Sequence, residues 1–79
     1  MEYKKLNKKT LLTLKYSVNV LINKKLTIEE LKKISNEIKS SLDKKYKKYF
    51  ILFYLDENDI GKGSYATCED NNIIIWDNT

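Results

Sequence analysis

The chain has no histidine, no arginine and no proline, a single cysteine, a single tryptophan and only two glycines. Without histidine there is no imidazole to act as a general base, and one cysteine cannot complete a structural zinc set. Cys68 has no second cysteine to pair with, so an internal disulfide is excluded; one unpaired thiol fits a reducing compartment. Without arginine there is no guanidinium fork to read a base edge in two bonds. No apolar run approaches the length of a membrane-spanning helix. The start, Met1-Glu2-Tyr3-Lys4-Lys5, lacks the apolar core of a signal peptide. These absences lead to the expectation of a cytoplasmic protein with no membrane partner, no metal and no cofactor.

What is present is lysine. All fifteen basic residues are Lys, against eleven acids, for a net charge of +4. The balance is uneven: residues 1–50 carry +9 and residues 51–79 carry −5. One end of the molecule therefore has a positive field and the other a negative one. Uniform lysine with many Ile and Asn is also what an AT-rich coding sequence produces, which lowers the information in each lysine.

Seventy-nine residues make one small domain. A chain of this size buries about 60% of its unfolded surface, and one core supplies about 3–5 kcal/mol. Such folds usually add a staple. With disulfide and metal excluded, self-association or a partner protein remains.

Residues 46–55 organise the chain. Their last seven, Tyr49-Phe50-Ile51-Leu52-Phe53-Tyr54-Leu55, are all apolar or aromatic, too short for a buried helix and rich in strand formers. Tyr49, Ile51, Phe53 and Leu55 point one way, and Phe50, Leu52 and Tyr54 the other. Such a strand is central and needs cover on both sides.

Residues 1–11 read as a basic N-terminal arm anchored by Leu6 and Leu11. Over residues 12–22, Leu12, Leu14, Tyr16, Val18, Val20 and Ile22 share one parity, predicting a half-buried strand with Lys15 discouraging stray pairing at an edge. Thr27 and Glu30 form a capping box, and Leu26 with Leu31 a hydrophobic staple. The helix they open buries Ile28, Leu31, Ile34, Ile38 and Leu42 and runs to about residue 43. A loop at 56–63 follows the central strand. A strand at 64–69, a turn at Asp70-Asn71 and a strand at 72–76 complete the chain. The expectation is one α+β domain over 12–79: a two-layer β-α-β-β-β arrangement with one helix on a mixed, mostly antiparallel sheet.

Chemical motifs are weak. Counting a calcium loop from Asp56, Asn58 and Gly61 fit, but Ile60 and Thr67 stand where ligands belong. Gly61-Lys62-Gly63-Ser64 follows a strand as a phosphate loop does, yet Asp56 occupies the first glycine's place and a strand follows. Cys68 lacks a base, and its neighbours Glu69 and Asp70 oppose a thiolate. Nothing in the spacing of the acids makes two converge. No catalytic residue is expected, and the chain is read as non-enzymatic.

Residues Phe53-Tyr54-Leu55, Gly61, Gly63 and Tyr65-Ala66-Thr67 resemble a small bacterial domain family without an assigned activity. Its members end a strand in Phe/Tyr-Tyr-Leu, continue through Pro-Gly and Gly-x-Gly to an aromatic and Ala-Thr, and open the preceding helix as residues 27–31 do. This chain departs at Asp56-Glu57, where the family favours Pro-Gly. The resemblance implies the β-α-β-β-β order and carries no catalytic residues.

The aromatic strand is the main functional sign. One helix covers one side, and large side chains on the other make a patch of the kind that marks protein interfaces. The expected contact residues are Tyr49, Phe53, Tyr54, Tyr65 and Trp76, with Asp56, Glu57 and Asp59 as rim charges. The expected function is docking on a protein partner or on a second copy as a homodimer, which would suit a phage or mobile-element inhibitor of a host system. The alternative is nucleic-acid binding, with lysines on phosphates and tyrosines on bases.

Overall fold

The computed structural model describes residues 3–11, 14–42, 45–56, 58 and 63–76. They form five strands and one helix: β1 (Tyr3–Leu11), β2 (Lys15–Ile22), α1 (Ile28–Ser40), β3 (Lys48–Tyr54), β4 (Ala66–Glu69) and β5 (Asn72–Ile75). The strands make one sheet in chain order, β1-β2-β3-β4-β5. The pairs β1–β2, β3–β4 and β4–β5 are antiparallel, and β2–β3, joined through α1, is parallel. This is the expected mixed α+β class, with one more strand than expected. No helix among the described residues is long and apolar enough to cross a membrane.

The added strand is β1. It occupies the stretch expected as an arm, and it moves β2 from the edge to the interior of the sheet. Its sequence hides it: Lys4, Lys5, Lys8 and Lys9 are exposed, and a register shift between Lys5 and Lys8 breaks any alternation. Backbone pairing to β2 needs no apolar pattern on β1 itself. Tyr3 packs against the core and donates its hydroxyl to Glu37 Oε2 at 3.2 Å, tying β1 to α1. Burial, then the Glu37 carboxylate, pushes its phenol above the ordinary value.

The start of α1 follows its sequence closely. Thr27 Oγ1 accepts from the Glu30 N–H at 3.2 Å, and the Thr27 N–H donates to Glu30 Oε1 at 3.0 Å. That second bond holds the Glu30 carboxyl below the usual range. The staple residues Leu26 and Leu31 are both buried. The helix stops at Ser40, short of the expected end, because Ser41 closes the last turn with its N–H on the Glu37 carbonyl and its hydroxyl on that of Ile38. Leu42 still packs on the core, whereas Ile28, expected to be buried, is exposed in the first turn.

The core gathers one parity of each inner strand. Tyr16, Val18, Val20 and Ile22 of β2 join Ile51 and Phe53 of β3 and Ala66 and Cys68 of β4. Leu31, Ile34 and Ile38 of α1 pack into the same cluster. The β2–β3 register sets Val18 beside Ile51 and Val20 beside Phe53, so the buried faces of the two strands coincide.

Asp70 locks the far end. It takes positive φ, +55°, in the two-residue turn between β4 and β5, a conformation that Asp tolerates better than most residues. Its N–H donates to the Tyr49 carbonyl at 2.8 Å, and its Oδ1 accepts from the Tyr49 N–H at 3.1 Å. Its carbonyl accepts from Lys39 Nζ of α1 and, at 3.3 Å, from the Cys68 thiol.

Candidate interaction face

The core parity leaves a second parity for the opposite side of the sheet. Residues adjacent in register share a face. Leu21 lies beside Tyr54, Asn19 beside Leu52, Ser17 beside Phe50 and Lys15 beside Lys48. Across β3 and β4, Leu52 meets Thr67 and Phe50 meets Glu69, and Thr67 in turn meets Ile74 of β5. Leu21, Phe50 and Leu52 are half-buried; Ile74 is 49% exposed and Trp76 50%. Trp76 donates its indole N–H to Thr67 Oγ1 at 3.1 Å, which lays the ring on this same face. Among the described residues no helix or strand lies over it.

The result is an apolar band, Phe50-Leu52 flanked by Leu21 on β2 and Ile74 and Trp76 beyond β4. Small polar groups, Ser17, Asn19 and Thr67, are set within it. One border is basic: Lys15 Nζ stands 5.3 Å from the Phe50 ring centroid, with Lys48 next to it. Glu69 of β4 stands at the same end, across from Phe50.

The expected contact residues divide. Trp76 is on this face and exposed. Tyr54 has the same parity but is only 6% exposed. Phe53, expected as a contact, is 0% exposed and belongs to the core, because the register aligns it with Val20 beneath α1. Tyr49 also turns to the helix side. It is half-buried in a cluster with Tyr16 and Tyr46, whose ring centroids lie 6.4 and 6.0 Å from its own. Tyr65 donates its hydroxyl to the Leu26 carbonyl at 3.0 Å and packs against the core. Asp56 is exposed after β3 and accepts from the Asn58 N–H at 2.9 Å. Glu57 and Asp59, with Gly61 and Lys62 of the calcium- and phosphate-loop readings, lie outside the described residues.

Phe50, Leu52, Leu21 and Ile74 were not among the expected contacts. Strand parity had already separated Phe50 and Leu52 from Phe53. What was lacking was the register that assigns each parity to a side.

Cys68 is buried and its thiol is spent on the Asp70 carbonyl. No group of three or more acids or cysteines among the described residues could hold a metal ion. A concavity of about 490 Å³ lies on the helix side between β1 and the end of α1; its described lining includes Lys5, Lys8, Tyr16 and Tyr46 and no acid. Burial and then the neighbouring Tyr46 raise the Tyr16 phenol above its ordinary value, so it stays neutral there. Comparisons with protein-family models, with curated proteins and with solved structures returned no match.

Proposed function

We propose that this chain is a non-enzymatic interaction protein that docks on a protein partner through the sheet face opposite α1. The observation that carries the reading is the band of Phe50, Leu52, Ile74 and Trp76, which among the described residues is uncovered while their one helix serves the other side. Read as two layers, the described residues supply no third that would seal this band. Covering the exposed half of Ile74 alone contributes about 1 kcal/mol. Lys15, Lys48 and Glu69 at one end of the band steer and orient a partner more than they hold it. A phage or mobile-element inhibitor of a host system suits the reading, since blocking needs contact and no chemistry. A cytoplasmic setting suits the buried free thiol.

The test is capture of the partner followed by binary binding between purified proteins. Leu52→Asp and Trp76→Ala should each weaken that binding at least tenfold with circular dichroism unchanged, while Lys32→Glu on the exposed side of α1 leaves it intact. Equal binding by all of these variants would end the proposal.

A second reading has one specific support. Lys15 over Phe50, beside Lys48, is the pairing of cation and ring that holds single-stranded nucleic acid on a sheet. Trp76 is the only tryptophan, so its fluorescence reports binding directly. No quenching by single-stranded DNA or RNA at low salt removes this alternative.

A further inference from the structure

The sheet has two edges, and the chain treats them differently. β1 carries Lys4, Lys5, Lys8 and Lys9 and a register shift, the two devices that keep an edge from pairing with another strand. β5 has neither. Asn72-Ile73-Ile74-Ile75, followed by Trp76, contains no charge, and its register with β4 runs without a break.

The direction of the β5 backbone groups follows from the hairpin. In a two-residue hairpin the flanking pair, here Glu69 and Asn72, exchanges both hydrogen bonds, and bonded pairs then alternate along the ladder. Asn72 and Ile74 thus bond to β4, and so does Trp76, whose N–H donates to the Tyr65 carbonyl at 2.7 Å. Ile73 and Ile75 aim their N–H and C=O groups away from the sheet. Among the described residues no strand lies beyond them.

We infer that β5 pairs antiparallel with β5 of a second copy, about a two-fold axis through Ile74. This rests on reading the chain as an interaction protein, but it uses the edge backbone rather than the face. The occupant is argued from self-complementarity. With Ile74 opposite its own copy, Ile73 faces Ile75 of the other chain, and Asn72 faces Trp76. Each outward N–H meets an outward C=O, giving four bonds from groups that now have none across the edge. Ile74 falls at a non-bonded pair, where side chains approach most closely. No charged residue stands at any of the five positions. Two β1 edges would instead oppose lysine to lysine across a broken register. β1 against β5 would be head-to-tail and would not close. The paired β5 strands also make the two apolar bands continuous, with each Trp76 at the seam. An edge contact this short buries less than a standard interface, so association is weak, in the range of about 10 μM to 1 mM.

The test combines sedimentation over a concentration series with residue-resolved amide exchange. The expected result is a mass that rises from one copy to two and stops. Exchange at Ile73 and Ile75 should slow at least tenfold with concentration, while Ile74, already bonded to β4, is unchanged. Ile75→Pro deletes an outward donor and should stay monomeric. If that variant does not fold, Ile74→Lys, at an exposed position, sets two ammonium groups across the axis and should likewise stay monomeric. Leu52→Asp, away from the edge, should still dimerise. A chain monomeric at millimolar concentration, growth beyond two copies, or slowed exchange only with a foreign peptide overturns the inference and leaves the docking face untouched. A dimer lost in Leu52→Asp and kept in Ile75→Pro also overturns it, in favour of face-to-face association.

Discussion

Replacing Asp70 tests how the sheet is locked to α1. The side chain contributes one acceptor, Oδ1 to the Tyr49 N–H at 3.1 Å, and a residue type that tolerates φ of +55°. Asp70→Ala keeps the backbone bonds to Tyr49, Lys39 and Cys68 but loses both contributions. A partly buried N–H left without its acceptor costs about 1–3 kcal/mol, and Ala in the left-handed region a further 1–2 or so. Asp70→Gly keeps the conformation and loses the acceptor. Asp70→Asn keeps both and should lie within about 1 kcal/mol of the parent. The expected order of stability is Asn, then Gly, then Ala. Together that is about 2–5 kcal/mol, and for a domain of this size each kcal/mol shifts Tm by about 4–8 °C, so Ala should lower it by about 8–40 °C. Far-ultraviolet circular dichroism, in heat and in urea, measures the series. The reasoning is refuted if Gly is as unstable as Ala, since the turn then carries no conformational demand. It is refuted equally if Asn is as unstable as Gly, since the acceptor then contributes nothing.

Two further predictions concern ends of the fold. Thr27→Ala should cost about 1 kcal/mol, read as a lower urea midpoint with an unchanged slope, because the Glu30 N–H loses its cap. The Glu30 carboxyl is held below its ordinary 4.5, so its stabilisation is present above that value and fades as pH falls through the folded-state value; Glu30→Gln should flatten that part of the acid limb. On the alkaline side, the phenols of Tyr3 and Tyr16 are raised above 10.0, Tyr3 by burial and Glu37, Tyr16 by burial and Tyr46. The unfolded chain then ionises first, so stability should fall as pH passes 10, and Tyr3→Phe should reduce that loss in alkaline melts.

Legibility varied with the kind of interaction that built each element. The helix start was readable because a capping box is a contact between residues three apart, complete within the local sequence. β3 was readable from composition, and the Asp70-Asn71 turn from residue type. β1 was not, because its place depends on backbone pairing to β2, which leaves no mark on side chains that stay in water. The make-up of the open sheet face was half readable. β2 alternates plainly, and its apolar parity had to face the helix. Only the pairing of Val20 with Phe53, rather than with Leu52 or Tyr54, decides that Phe53 is core and Leu52 is surface. A shift of one residue would have reversed every such assignment.

Charge along the chain becomes charge across the sheet for a topological reason. Since the strands lie in chain order, the sequence bias toward lysine early and acid late is laid out laterally. β1 brings four lysines, β2 and β3 bring Lys15 and Lys48 at one end, and β4 brings Glu69. A fold with crossed strand order would have interleaved these groups and cancelled the field. Here Lys15 and Lys48 stand at one end of the apolar band of Phe50 and Leu52, with Glu69 on the β4 side of Phe50. Under the docking proposal, a protein with the opposite gradient would be oriented before contact, and like-charged flanks would reject the reversed approach. A nucleic-acid strand gains on the β1–β2 side and is repelled beyond β3, so it would have to run along the strands rather than across them. The same layout leaves β5 as the one edge without lysine, and thus the place where another strand meets least resistance.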